Sequence, residues 1–438
     1  MLEFDKLLGS SFKCDCGKVH TIPTKYLIYE NTAIERIPEI LSKEISGKEI
    51  GLFADVRTYE IAGREVEQIL QRAHFSVQRI IVSDPYSGTP VCDDSTQSQL
   101  AGELKSVDAI VAVGSGVIND LAKWTAFERN IPYVCVATAA SMNGYTAANV
   151  ASIINGLKTI VYARAPIAVV AKPEIIENAP YKMTASGLGD VLAKPVSTAD
   201  WVMNNFLFGE YFCDRCTQLI SDIEPKYFDN PQGVRERHPE AIKALYEALI
   251  YSGIAMTMAG TSAPASGGEH MLSHTLDMMW LVDGIEHDMH GRQVGLGTIF
   301  ASALYEKLIA IDEPKCVDAP DEIDRKFWGK LADTVEQQYS LKKHHLEIMK
   351  QKFVNVDVWR QFKNAIRLRV RKPEDVKNCL RRADAAHRID DIVCSRERVL
   401  SAVLHMHEIR KRCTVIDVAY VLGLMPTVAD EIIETWLT

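Results

Sequence analysis

The stretch Ala109-Ile110-Val111-Ala112-Val113-Gly114-Ser115-Gly116-Val117-Ile118-Asn119-Asp120 carries an unbroken apolar run into a glycine pair and then a helical pattern. Such a run, without polar alternation, reads as a strand buried on both faces, the habit of parallel sheets. Glycines at 114 and 116 let the backbone turn sharply and approach a phosphate with no side chain between. The helix that follows offers exposed amides and the positive end of its dipole to an anion. Gly114, Gly116, Val117, Ile118, Asn119 and Asp120 are therefore candidate nucleotide contacts. Asn119 stands where the usual dinucleotide fingerprint has its third glycine. Taken alone, the turn reads equally well as a plain strand-to-helix connection.

Working outward, the same alternation recurs. Strands are expected at Tyr26–Tyr29, Glu49–Asp55, Phe75–Val82 and Tyr133–Ala137, with helices at Ala33–Ser42 and Thr58–Ala73. Strands alternating with helices of this length indicate βαβ units and a mainly parallel sheet. Thr138-Ala139-Ala140-Ser141 follows the Tyr133 strand and puts two hydroxyls where a ligand meets a sheet's carboxyl edge. Asp55, ending the second strand, suits the adenosine ribose hydroxyls and equally well a helix start. A ribose contact there would disfavour the 2'-phosphate of NADP.

From Pro173 onward helical periodicity dominates, as in Ala241–Ala259, Arg325–Tyr339 and Ser395–Lys411. The expected architecture is an α/β nucleotide-binding domain over 1–172 and an all-helical metal- and substrate-binding domain over 173–438. The cleft between them is the expected active site.

Three segments of the helical part carry the remaining chemistry: Gly187-Leu188-Gly189-Asp190, Gly268-Glu269-His270-Met271-Leu272-Ser273-His274 and His287-Asp288-Met289-His290-Gly291. One carboxylate and two imidazoles make a divalent-metal site with an open position, which suits catalysis better than a closed four-ligand structural site. His270 and His274 are four apart and share a helix face, so one can bind metal while the other handles substrate or a proton. A nucleotide site and a catalytic metal together point to hydride transfer at an alcohol carbon.

The 438 residues suffice for two domains, and 47% hydrophobic with 24% charged residues is a globular balance. A net charge of -9 without a basic stripe excludes nucleic acid as a partner. No apolar run approaches the ~20 residues of a membrane span, and Met1-Leu2-Glu3-Phe4-Asp5 lacks the character of a signal peptide. A cytoplasmic protein is expected, with its ten irregularly spaced cysteines reduced. Cys14-Asp15-Cys16-Gly17-Lys18-Val19-His20 resembles half of a zinc knuckle with no second half nearby, so a tight hairpin or turn is expected. Cys213-Asp214-Arg215-Cys216 has CxxC spacing in a helical stretch and reads as two helix positions one turn apart.

Gly114-Ser115-Gly116, Thr138 to Ser141, Ala185-Ser186-Gly187-Leu188-Gly189-Asp190, Glu269-His270 through His274, and His290-Gly291 occur in an order that resembles the iron-containing (group III) alcohol dehydrogenase superfamily. Met142-Asn143-Gly144-Tyr145-Thr146 and Arg410 to Asp417 are similar to its sn-glycerol-1-phosphate dehydrogenase branch. The resemblance spans nearly the whole chain and implies a dehydroquinate-synthase-like fold. It implies that Asp190, His270 and His290 ligate the metal, with His290 favoured over His287 because a glycine follows it. It also implies His274, Asp190 and Asn143 at the substrate, and Gly116–Asp120, Thr138–Ser141 and Ala147 at the cofactor.

The implied reaction interconverts sn-glycerol 1-phosphate and dihydroxyacetone phosphate with NAD or NADP, the metal acting as a Lewis acid. Zinc suits the ligands, and iron, nickel or cobalt also fit. Lys194 stands where some relatives place a further histidine, so three ligands are expected. Lys158, Arg164 and Arg292 are candidate phosphate partners. The chain departs from the family at Asn143, where Asp is usual, and at Ala147, where a serine is common. Asn cannot carry charge, which keeps open a different polyol or polyol phosphate. A dehydroquinate-synthase-like lyase is the other alternative. A homodimer or larger homo-oligomer is expected.

Overall fold

The computed structural model describes residues 4–84, 89–154 and 157–438; Met1, Leu2 and Glu3 of the N-terminal reading lie outside them. Among the described residues ten strands form in chain order: β1 (Ser11–Lys13), β2 (Val19–Thr21), β3 (Tyr26–Tyr29), β4 (Glu49–Ala54), β5 (Ser76–Ile81), β6 (Ala109–Gly114), β7 (Tyr133–Ala137), β8 (Asn149–Ile154), β9 (Leu157–Tyr162) and β10 (Ala168–Ala171). Two compact units divide the chain. One comprises Met1–Gly187 with Gln218–Thr261, the other Leu188–Thr217 with Ser262–Thr438. Strands end at Ala171, and the first unit runs past that point to take in the Pro239–Ala259 helix.

In the first unit six strands make one sheet, ordered β3-β10-β7-β6-β4-β5 and parallel throughout. β6, β7 and β10 are buried along their whole length, as the apolar runs require. The edge strands β3 and β5 are partly exposed. Helices carrying Ile34, Ile37, Leu41, Val66 and Leu70 bury those side chains against Leu52, Val111 and Val134 of the sheet. Register aligns the carboxyl ends: Phe53 lies opposite Ala112, and Gly114 opposite Ala137. Asp55, Ser115 and Thr138 therefore leave the sheet at one edge, where open α/β sheets bind ligands. The antiparallel pairs β1–β2 and β8–β9 stand apart from this sheet.

The second unit is helical among the described residues. Its centre is the pair Gly268–Asp283 and His290–Ala310. Glycines let these backbones touch. A Cβ on Gly297 would sit 2.1 Å from the Glu269 carbonyl oxygen, and one on Gly189 would sit 2.0 Å from that of Gly291. No helix among the described residues is long and apolar enough to cross a membrane.

Several local expectations change. Ala33–Ser42 becomes a 3-10 turn at Ile34–Arg36 followed by a helix from Ile37, whose second position is proline. The Thr58–Ala73 helix contains a π turn at Tyr59–Gly63. Arg325–Tyr339 breaks at Gly329, whose φ of +49° is left-handed. The last of these helices stops at His405, six residues before the expected Lys411. Cys213 lies just before the Asp214–Ser221 helix, which contains Cys216.

Candidate functional site

The metal candidates are placed by helices of the second unit. Asp190 lies near the end of the Tyr181–Leu192 helix, His270 and His274 share the Gly268–Asp283 helix, and His290 begins the next one. His270 Nε2 is 3.6 Å from Asp190 Oδ1. The His270 and His290 ring centroids are 5.2 Å apart, and His274 lies 5.8 and 5.6 Å from them. All three imidazoles and the carboxylate thus come together.

The tautomers follow from the partners. His270 Nδ1 lies 2.7 Å from Glu269 Oε1, a carboxylate that can only accept, so Nδ1 carries the hydrogen. Ser273 donates its hydroxyl hydrogen to Gln293 Oε1 at 2.9 Å, and so accepts from His290 Nδ1 at 2.9 Å. Both rings are thus held through Nδ1 by outer partners, as ligating histidines usually are. Burial by itself would raise the Asp190 carboxyl. The Lys194 ammonium, 2.8 Å away, outweighs it together with His270 and His290, and the carboxyl is held well below the usual carboxylate range. A carboxylate and imidazoles brought together in this way are the donor types that a divalent ion takes. Lys194 is buried, with its Nζ also donating to the Ala265 carbonyl at 3.0 Å.

His287 is engaged elsewhere. Its Nδ1 is 3.1 Å from Asp277 Oδ1 and its ring packs on Trp280. Arg292 is held by Asp288 and the Asp391 carbonyl, and Arg164 stands over the Phe127 ring. The Lys158 side chain lies outside the described residues.

In the first unit the Gly116–Glu128 helix starts without a side-chain cap, because the Ser115 hydroxyl pairs with Ser141 at 2.6 Å. The amides of Gly116, Val117 and Ile118 thus face the sheet edge without a side-chain cap, whereas that of Asn119 donates to the Ser115 carbonyl at 2.9 Å. The side chains named around it are mostly structural. Ile118, Asn119 and Ala147 are fully buried, and Asp120 accepts from Lys123 and from the Ala151 amide. Asp55 caps the Val56–Thr58 turn, accepting from the Thr58 amide at 2.8 Å, and pairs with Arg57. Thr138 is buried, Ala139 accepts from the Tyr145 hydroxyl at 2.8 Å, and Ala140 is met closely by Gly187. Asn143 is half-buried, its Nδ2 3.4 Å from the Ser252 hydroxyl.

Sequence reasoning missed Lys123, Glu269, Ser273 and Gln293 as supports. Lys123, with no exposed surface, donates to the Gly144 and Asn149 carbonyls at 2.7 and 2.8 Å and ties the 142–149 loop to the helix. The only signal for Glu269 was its place beside His270.

Residues 28–180 match the iron-containing alcohol dehydrogenase family. The fold agrees with solved glycerol dehydrogenases. The one from Schizosaccharomyces pombe has a TM-score of 0.61 at 16% identity, covering 94% of this chain and 91% of that one. A probable glycerol dehydrogenase from Sinorhizobium meliloti has a TM-score of 0.62 at 15% identity, covering 94% and 96%. Sequence similarity is stronger elsewhere. A glycerol-1-phosphate dehydrogenase [NAD(P)+] of Bacillus licheniformis is 33% identical over 306 residues, 69% of this chain and 75% of the relative. One from Halalkalibacterium halodurans is 29% identical over 406 residues, 92% and 94% of the two chains. The chain belongs to the glycerol-1-phosphate dehydrogenase family of the iron-containing alcohol dehydrogenases.

Proposed function

We propose that this chain is a metal- and NAD(P)-dependent dehydrogenase interconverting sn-glycerol 1-phosphate and dihydroxyacetone phosphate. The observation that carries the reading is the convergence of His270 and His290, each held at Nδ1 by an outer partner, on an ionised Asp190. Asp190, His270 and His290 would hold one divalent ion, zinc by ligand type, with iron, nickel or cobalt as substitutes. When bound, that ion supplies Lewis-acid polarisation of the substrate oxygen, and the nicotinamide supplies the hydride acceptor. His274, half-buried beside both ligand imidazoles, holds substrate and passes the hydroxyl proton. Asn143 hydrogen-bonds a substrate hydroxyl.

The cofactor's pyrophosphate lies against the amides of Gly116 to Asn119, with Thr138 and Ser141 beside it. Asp55 takes the adenosine ribose hydroxyls. Arg57, paired with Asp55 and Asp84, is a cation beside that carboxylate, and the cofactor is NAD or NADP. The protein works as a cytoplasmic homodimer or larger homo-oligomer, which light scattering of the purified protein checks.

The test is a panel of phosphorylated and free ketoses with NADH and NADPH on metal-loaded protein. Oxidation of the reduced nicotinamide should be fastest with dihydroxyacetone phosphate. A faster rate with another ketose would reassign the substrate, as the Asn143 departure allows. Turnover of 3-deoxy-arabino-heptulosonate 7-phosphate with no net cofactor oxidation would identify a dehydroquinate-synthase-like lyase.

A further inference from the structure

The Cys14–His20 segment closes the β1–β2 hairpin. Phe12 pairs with His20 and Lys13 with Val19. The turn is sealed by Gly17 N–H to the Cys14 carbonyl and Cys14 N–H to the Lys18 carbonyl, both 2.9 Å. Gly17 adopts a φ of +86°, which a β-carbon would oppose. A turn of this shape directs the donors of Cys14, Cys16 and His20 to one point: one ligand atom from each lies within 4.8 Å of the others.

His20 is prepared for this role. Its side chain is buried, and Nδ1 donates to the Met258 carbonyl at 2.8 Å, because a carbonyl can only accept. Nε2 is then left as the lone pair, 3.3 Å from Cys16 Sγ. Ligating histidines are typically oriented in this way by an outer carbonyl. For tetrahedral zinc with ordinary Zn–S and Zn–N bonds, the sulfur-to-nitrogen distance is about 3.5 Å. Neither cysteine is in a disulfide.

We propose that Cys14, Cys16 and His20 form a structural zinc site, with the two thiols bound as thiolates and the imidazole bound through Nε2. The protons released from the thiols pass to solvent. Thiolate and imidazole together favour zinc over the oxygen-seeking cations. A further ligand completes the tetrahedron. The ion would fasten the hairpin to the end of the Pro239–Ala259 helix through His20 and Met258. That helix also accepts from Thr146 at Ile250 and meets Asn143 at Ser252, so the zinc would brace the backing of the nucleotide loop. The site shares no residue with Asp190, His270 and His290, and it stands whether or not the dehydrogenase reading does.

The test uses the sulfur. Full-length protein loaded with Co(II) should show thiolate-to-cobalt charge-transfer absorption, which the carboxylate–imidazole set cannot produce. The band should persist in His270→Ala and weaken or vanish in Cys14→Ser and in Cys16→Ser, with loss of about one zinc equivalent per chain in the zinc-loaded forms. Zinc X-ray absorption on His270→Ala should show at least two sulfur neighbours and an imidazole nitrogen, a readout that does not depend on the serine variants folding. A Co(II) spectrum without a thiolate band would overturn the proposal, as would a zinc shell without sulfur or undiminished zinc in Cys14→Ser/Cys16→Ser.

Discussion

At the carboxyl edge of the sheet the chain presents backbone, and in the helix pair of the second unit it presents side chains. Around Gly116 the side chains of Ile118, Asn119 and Ala147 are turned into the core, while the helix start lacks a side-chain cap. Around Asp190 the functional atoms are themselves side-chain atoms, and each imidazole is aimed by a partner: His270 by Glu269, His290 by Ser273 and Gln293. An edge built from amides tolerates most side-chain changes and fails when something fills the space before it. A centre built from side chains fails when a donor, or the group aiming it, is removed. The two regions should therefore respond differently to substitution.

The sharpest break is His270→Ala. Losing a ligand removes the Lewis acid, an effect of several kcal/mol, and kcat should fall by about a thousandfold or more. The fold should survive, because the helix pair is held by apolar packing and by the close approach of Gly297 to the Glu269 carbonyl. Steady-state rates with circular-dichroism melting measure both. A variant unfolded at room temperature would show that the centre is structural.

Gly116→Val probes the other region. A Cβ there meets nothing nearer than Met142 Cγ at 3.5 Å, so the protein should fold. The added methyls stand where the pyrophosphate must approach, and NADH affinity should drop by about a hundredfold, ~2.7 kcal/mol. Metal content should be unchanged. Fluorescence titration with NADH reads the first and elemental analysis the second. Unaltered affinity would place the nucleotide elsewhere.

Glu269→Gln tests whether aiming matters as much as ligation. The substitution puts a neutral amide in place of the carboxylate that accepts both from His270 Nδ1 and, at 2.7 Å, from the Gly267 amide. Outer partners of this kind contribute about 10- to 100-fold to metal affinity. Competition with a chelator should show that loss, while kcat at saturating metal falls less. An unchanged metal affinity would leave Glu269 as a helix-start residue only.

These supports also mark where the sequence could be read and where it could not. Tyr26–Tyr29 and Tyr133–Ala137 are strands to the residue, because short apolar or aromatic runs between turn signals have few other uses. The clustering of Asp190, His270, His274 and His290 and the glycine turn were legible because their residue types are scarce and their order is informative. Ala168–Ala171 was not, since four small apolar residues have no period, and only its pairing with β3 and β7 makes it a strand. Lys123 reads as a surface lysine until the folded loop brings two carbonyls to it. Ser273 becomes a partner of His290 and of Gln293 only when two helices pack, which no spacing along one helix reveals. Asp55 remains two things in sequence, and its capping bond to Thr58 shows the structural one in place.

Asn143 combines the two kinds of presentation and should give the smallest effect. It belongs to the loop that Lys123 anchors, yet what it would offer a ligand is a side-chain amide. Its bond to Ser252 is long at 3.4 Å. If it hydrogen-bonds a substrate hydroxyl, Asn143→Ala leaves that hydroxyl without its partner and costs about 1 to 3 kcal/mol. The loss should fall on kcat/KM for the true substrate and spare analogues lacking the hydroxyl, with NADH affinity untouched. Asn143→Asp adds the charge that the family usually carries there. It should move preference toward glycerol 1-phosphate if another polyol phosphate is the parent's best substrate. Parent-like rates for both variants across the substrate panel would reduce Asn143 to a turn residue and give the loop to the backbone-presenting region alone.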